Sequence, residues 1–232
     1  MSDRRDYIIS FGGSGSKLLT RFLYPNGPAS NAGRFHLHTR DPADAPSAAE
    51  NFIYMFADPR NAILSFFSRR DRRHERHDFE KSLNMAHRAQ PNPEWVRNHL
   101  RNLECDPDAI SSDWDLSTYL ENSITDAFRL TSHFQNWLDY TDKPVLFIRY
   151  EALWRHQEKL RDLLGIEQAQ LPEFVKRSGN WQEQPAEDRA RLDKLVGDLA
   201  RYQDTLPDIF GRYGQVDVTV SRNTVRLSDP GK

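Results

Sequence analysis

Short apolar runs alternate along this chain with longer stretches of helical period. Four runs, 7–11, 35–39, 52–57 and 145–149, are rich in aromatic and branched residues and too short for helices, which predicts strands. Helical spacing follows at 17–24, 61–70, 116–138, 151–164 and 187–202. This alternation predicts an α/β fold with a mainly parallel central sheet flanked by helices on both faces. The breaker-rich segment 25–33 reads as a loop. No strand is predicted from about residue 79 to 140, so this region is expected to form a helical insertion over one end of the sheet. Beyond residue 214 the chain alternates Val with polar residues, a pattern that an edge strand and a loose extension satisfy equally. The expected organisation is a single domain over 1–215 with a C-terminal extension over 216–232.

Composition narrows the classes of function. The chain has 232 residues, enough to bury a substantial core as one domain. Its formal net charge is -2 with 28% charged residues, so no global basic field draws nucleic acid and any anion site must be local. A single cysteine, Cys105, rules out an internal disulfide framework and fits a reducing compartment. The N-terminal "MSDRRDYIIS" lacks the apolar stretch of about 7–15 residues of a secretory signal. No run approaches the roughly 18 apolar residues of a membrane helix. A soluble, cytoplasmic protein with no membrane span is the expectation.

In an open α/β sheet, ligands sit beyond the carboxyl ends of the strands, so the loops there are read together. After the first strand come Gly12, Gly13, Ser14, Gly15 and Ser16, and then Lys17 opens a helix. Small residues in this setting let backbone N–H groups converge on an anion at the positive end of the helix. After the third strand come Asp58, Pro59, Arg60 and Asn61, leading into a helix that carries Ser65, Arg69 and Arg70. The second strand brings His36, His38 and Arg40, and on a strand His36 and His38 share a face. The run "RRDRRHERH" over 69–77 is a solvated charged face or a guide for anionic ligands.

Two phosphate-binding patterns compete for the first loop. A kinase or NTPase P-loop, G-x-x-x-x-G-K-[ST], places lysine directly after the last glycine. Here Ser16 intervenes and Leu18 stands where a Mg²⁺-binding hydroxyl belongs, although Asp58, at the end of an apolar strand, suits the acidic metal ligand of such enzymes. The segment "SFGGSGSKLL" instead resembles the 5′-phosphosulfate loop of sulfotransferases that use 3′-phosphoadenosine 5′-phosphosulfate. "FIYMFADPRNAILSFFSRR" resembles that family's strand-loop-helix for the nucleotide 3′-phosphate, "VLFIRYEAL" its late strand and helix, "KRSGNW" its R-x-G segment, and "FGRYG" its closing turn. The motifs occur in the family's order and span roughly residues 7 to 214.

The resemblance implies a P-loop-like strand-loop-helix at the N-terminus and in-line transfer of a sulfuryl group from this donor to a hydroxyl or amine. It implies a small-molecule or glycan acceptor in a pocket shaped by the insertion, with phenol, sugar, amine and lipid hydroxyl all open, and no required metal. Gly12, Gly13, Ser14, Gly15, Ser16 and Lys17 are implied around the 5′-phosphosulfate, Arg60, Ser65 and Arg177 around the 3′-phosphate, and Trp181 against adenine. His38 is implied as the base, with Glu75 and Asp41 as carboxylate alternatives. A two-histidine metal site lacks a third ligand in the sequence.

Two customary cations of the pattern are absent, since Gly13 and Ala57 occupy their positions. Lys17 and Arg60 lie close by as replacements, which makes Lys17 a catalytic candidate beside the bridging oxygen. A lysine placed at position 13 would restore the family arrangement unless the backbone there needs positive φ. Without such replacements the chain would be a non-catalytic, sulfotransferase-like nucleotide binder. Each residue also has an ordinary structural role open to it: the glycines as a tight turn, Lys17, Arg60, Ser65 and Arg177 at the surface, Trp181 in the core.

Overall fold

A computed structural model describes residues 6–23, 35–68, 93–111, 113–166 and 180–222. The described chain is α/β, with a six-stranded, mostly parallel sheet and eight α-helices. In order these are β1 (Asp6–Ile9), α1 (Ser16–Leu23), β2 (His36–Leu37), β3 (Asn51–Phe56), α2 (Pro59–Phe67), α3 (Pro93–Asn102), α4 (Leu116–Asn122) and α5 (Leu130–Leu138). They continue with β4 (Val145–Arg149), α6 (Ala152–Arg155), α7 (Gln157–Leu164), α8 (Ala186–Thr205), β5 (Ile209–Tyr213) and β6 (Val216–Val220). The strand order is β2-β1-β3-β4-β5-β6. The pairs β1·β2, β1·β3 and β3·β4 are parallel, whereas β4·β5 and β5·β6 are antiparallel.

The pleat sends alternate side chains to opposite sides of the sheet. Ile8, Ile53, Met55, Leu146 and Ile148 join one hydrophobic cluster with Leu19, Phe22 and Leu23 of α1, Leu153 of α6 and Leu160 of α7. Ile9, Phe52, Tyr54, Phe56, Val145 and Phe147 join another with residues of α2, α3, α4, α5 and α8. The central strands β3 and β4 are buried almost throughout, which is why they read as continuous apolar runs.

The topology also fixes where a ligand crevice lies. From β1 the chain proceeds to β2 on one side of the sheet, while β3 leads to β4 on the other. Neighbouring strands whose connections diverge leave a crevice at their carboxyl ends. That point falls between the loop after β1 and the start of α2.

Several expected elements change. The single helix over 116–138 is two, because the Asp126 carboxylate accepts from the Phe128 and Leu130 amides at 2.9 and 2.6 Å and Arg129 takes φ 50°. The helix over 151–164 breaks at His156, whose Nε2 lies 3.1 Å from the buried Asp208 carboxylate. Only His36 and Leu37 of the 35–39 run form a strand, since Asp41 caps a 3₁₀ turn over Pro42–Asp44. β5 has no counterpart among the expected strands, and of the two readings of the tail, residues 216–220 adopt the edge strand. Within 93–140 the described residues contain helices and no strand. Residues 79–92 of the expected insertion lie outside the described residues. No helix among the described residues is long and apolar enough to cross a membrane.

Candidate functional site

The loop leaving β1 is shaped by what crowds it. Gly12, Gly13 and Gly15 have φ of 90°, 64° and 76°, in the region that favours glycine. A Cβ on Gly12 would lie 2.6 Å from the His99 ring, and one on Gly13 would lie 2.9 Å from Cα of Ala62 in α2. The loop therefore rests directly on the first turns of α2 and meets α3. This brings together two segments that the sequence places about 50 residues apart, at the crevice between β1 and β3.

Ser14 is fully buried, and its Oγ has no hydrogen-bond partner among the described residues. Leaving a buried hydroxyl unsatisfied costs about 1–3 kcal/mol, so the position is unfavourable unless something else supplies a partner. Ser16 is the first residue of α1 and is nearly buried. Its Oγ lies 3.1 Å from Ser10 Oγ, which accepts from the Gly12 amide at 3.3 Å and sits 3.3 Å from His36 Nε2. Lys17 is exposed at the helix start.

Three further histidines frame the loop. His38 Nδ1 donates to the Ser10 carbonyl at 2.6 Å, so the neutral ring carries its proton there and Nε2 is the basic nitrogen. His99 Nε2 donates to the Phe11 carbonyl at 3.0 Å and its ring stacks on Trp95. His133 Nε2 donates to the His38 carbonyl at 3.2 Å, while Tyr54 donates its hydroxyl to His133 Nδ1 at 2.8 Å. Ring centroids of His36 and His38 are 4.5 Å apart, and those of His38 and His99 are 4.9 Å apart.

Burial first, then the neighbouring His38 and Lys17 charges, push His36 down to about 3. Burial likewise pushes His133 down to about 3. Both are neutral in the folded chain at pH 7, whereas in the unfolded chain they take protons near pH 6.5. The unfolded state therefore binds more protons as pH falls between about 6.5 and 3, and stability is lost over that window. The melting temperature is expected to drop between pH 7 and pH 5, and His133→Gln is expected to flatten the drop.

In the second segment Arg60 is engaged by carboxylates. Arg60 Nε and Nη2 fork onto Asp58 at 3.0 and 2.8 Å, and Nη1 donates to Asp193 of α8 at 3.0 Å. Burial opposes the charge, but the bonds to Asp58 and Asp193 outweigh it and hold the guanidinium pKa above its usual value. The guanidinium lies 3.6 Å over the Trp181 ring, and Asn61 Oδ1 accepts from the Trp181 amide at 2.8 Å. Asp58 also caps α2 through the Arg60 amide at 2.9 Å. Trp181 thus meets the 58–61 loop, with one ring face covered by Arg60. Ser65 follows Ala62 by three residues on α2, on the stripe that faces Gly13. Arg177, Glu75, Arg69 and Arg70 lie outside the described residues.

A cleft of ≈ 410 Å³ opens beside this second segment, lined among others by Asp58, Asn61, Arg149, Trp181 and Gln203. Gln203 is 1% exposed, and among the described residues neither its side-chain oxygen nor its nitrogen has a hydrogen-bond partner. Among the described residues no group of three His, Cys, Asp or Glu is placed to hold a metal ion. The residues that sequence reasoning misses are Ser10, His99, His133 and Gln203. Ser10 directly precedes Phe11 and the glycines and is open to notice. His99, His133 and Gln203 reach the site from distant helices with no motif around them.

Comparison of the chain with protein-family models, with curated proteins and with solved structures finds no match.

Proposed function

We propose that this chain is a sulfotransferase that takes 3′-phosphoadenosine 5′-phosphosulfate as donor and a hydroxyl or amine of a small molecule or glycan as acceptor. The observation that carries the proposal is the orphaned Ser14 hydroxyl, buried in a left-handed glycine loop at the start of α1 and at the divergence of β1 and β3. An anion there receives the loop amides, the Ser14 and Ser16 hydroxyls and the positive end of the helix. In this reading β1, the loop and α1 form a P-loop-like unit, in a sheet that helices flank on both faces.

The ≈ 410 Å³ cleft takes the nucleoside half. Its volume is in the range of small-ligand pockets, Trp181 gives it an aromatic wall, and Gln203 offers a paired donor and acceptor to a base edge. In the transfer step, His38 Nε2 accepts the acceptor's proton as a bond forms from that oxygen or nitrogen to sulfur. The bridging sulfur–oxygen bond then breaks, and its electron pair stays on the 5′-phosphate of the departing adenosine 3′,5′-bisphosphate. Loop amides from Gly13 to Ser16, with Lys17, meet that growing charge, so preorganised electrostatics and positioning supply the catalysis.

The kinase reading asks Asp58 to bind a metal, but both of its oxygens are held by Arg60. Ser14→Ala separates a ligand role from a packing role by opposite signs. Without ligand it removes an unsatisfied hydroxyl and is expected to raise the melting temperature by about 2–12 °C. Affinity for adenosine 3′,5′-bisphosphate is expected to fall about tenfold by calorimetry. Loss of stability with unchanged affinity would make Ser14 a structural residue only.

A further inference from the structure

We infer that Ser10 and His36 form a relay that turns the Ser16 hydroxyl toward the bound anion; the inference rests on the loop being an anion cradle. Ser10 is fully buried, and its Oγ sits between three groups: the Gly12 amide and His36 Nε2, each at 3.3 Å, and Ser16 Oγ at 3.1 Å. A hydroxyl has one proton to donate and two lone pairs to accept with. The Gly12 amide fills one lone pair in every arrangement, because it can only donate.

Two polarities remain for the chain Ser16–Ser10–His36. If His36 Nε2 is bare, the Ser10 proton goes to it, and Ser16 must donate to Ser10. Ser16 then shows only lone pairs to the cradle, which repels an anion. If His36 carries its proton on Nε2, both lone pairs of Ser10 are filled, and its own proton goes to Ser16 Oγ. The Ser16 proton is then released toward the loop. An anion therefore selects the Nε2–H form of His36, and His36 in turn favours the anion. The imidazole does this as a neutral ring, held so by burial and by the neighbouring His38 and Lys17 charges. Both Ser10 and His36 are positioning residues, acting through Ser16.

The test is a double-mutant cycle on affinity for inorganic pyrophosphate, measured by calorimetry on the full chain. Pyrophosphate has the two linked tetrahedral groups of a phosphosulfate but no nucleoside or sulfur, so the cycle reports on the relay whichever nucleotide the chain uses. His36→Ala and Ser16→Ala are each expected to weaken binding about 3- to 10-fold, the worth of one hydrogen bond. The double variant is expected to be no weaker than Ser16→Ala alone, since His36 has nothing left to orient. His36→Gln, whose side-chain amide also donates, is expected to restore near-wild-type affinity. Ser10→Ala supplies the same cycle if His36→Ala does not fold. Additive losses, failure of glutamine to rescue, or no pyrophosphate binding to the wild type would overturn the relay.

Discussion

Replacing His38 with alanine is expected to lower sulfuryl transfer by about 10²–10⁴-fold while leaving affinity for adenosine 3′,5′-bisphosphate nearly unchanged. In the proposed reaction, general base catalysis acts on the acceptor's proton, whereas donor affinity rests on the loop and cleft. The Ser10 carbonyl fixes the His38 proton on Nδ1, which leaves Nε2 as the nitrogen able to take a proton in the proposed step, and His133 holds the backbone there through the His38 carbonyl. Activity is read on whichever acceptor the wild type uses from a panel of phenols, sugars and amines. Retained transfer in His38→Ala, with loss in Asp41→Ala or Glu75→Ala, would assign the base to a carboxylate. Asp41 is the weaker rival, because its side chain accepts from the Ala43 amide at 2.9 Å as a cap.

Lys17→Met is expected to cost about 10- to 100-fold in transfer rate, the worth of one charge-assisted hydrogen bond to the leaving phosphate. Adding the customary lysine at position 13, as Gly13→Lys with Lys17→Thr, is expected to recover none of it. Gly13 has φ 64°, and a Cβ there would lie 2.9 Å from the Ala62 backbone. A left-handed side-chain residue costs about 1–2 kcal/mol, and overpacking adds about 1–3 kcal/mol. At this chain length the sum lowers the melting temperature by about 5–15 °C. Glycine at 13 is thus imposed by the contact with α2, and the proposed transfer has to draw its positive charge from another position. Recovery of rate in the double variant with unchanged stability would contradict the loop geometry.

The strands best read from sequence are those whose neighbours bury them on both sides. β4 falls on the expected residues 145–149, because continuous apolar runs suit a central parallel strand. β5 is hidden because "IFGRY" sets a glycine, ordinarily a turn signal, in the middle of a short run and an arginine beside it. Gly211 has positive φ, Arg212 is exposed, and the strand exists through its pairing with β4 and β6. The breaks in the middle helices come from polar contacts that no periodicity encodes, such as Asp208 drawing in His156 from 52 residues away.

The glycine loop and His38 are legible, since local backbone demands and strand alternation place them at the carboxyl edge of the sheet. Arg60 is legible only as a cation. Its fork onto Asp58 is local, but its bond to Asp193, 133 residues on, depends on how α8 packs against α2. The pairing of Trp181 with the 58–61 loop follows the order of the motifs, but the ring meets a guanidinium on one face.

Calorimetric titration of the wild-type chain with adenosine 3′,5′-bisphosphate, with ATP·Mg²⁺ in parallel, tests the central claim most directly. The site described above predicts that the bisphosphate binds without metal and more tightly than ATP·Mg²⁺. Preference for ATP·Mg²⁺, or no binding of the bisphosphate, would contradict it.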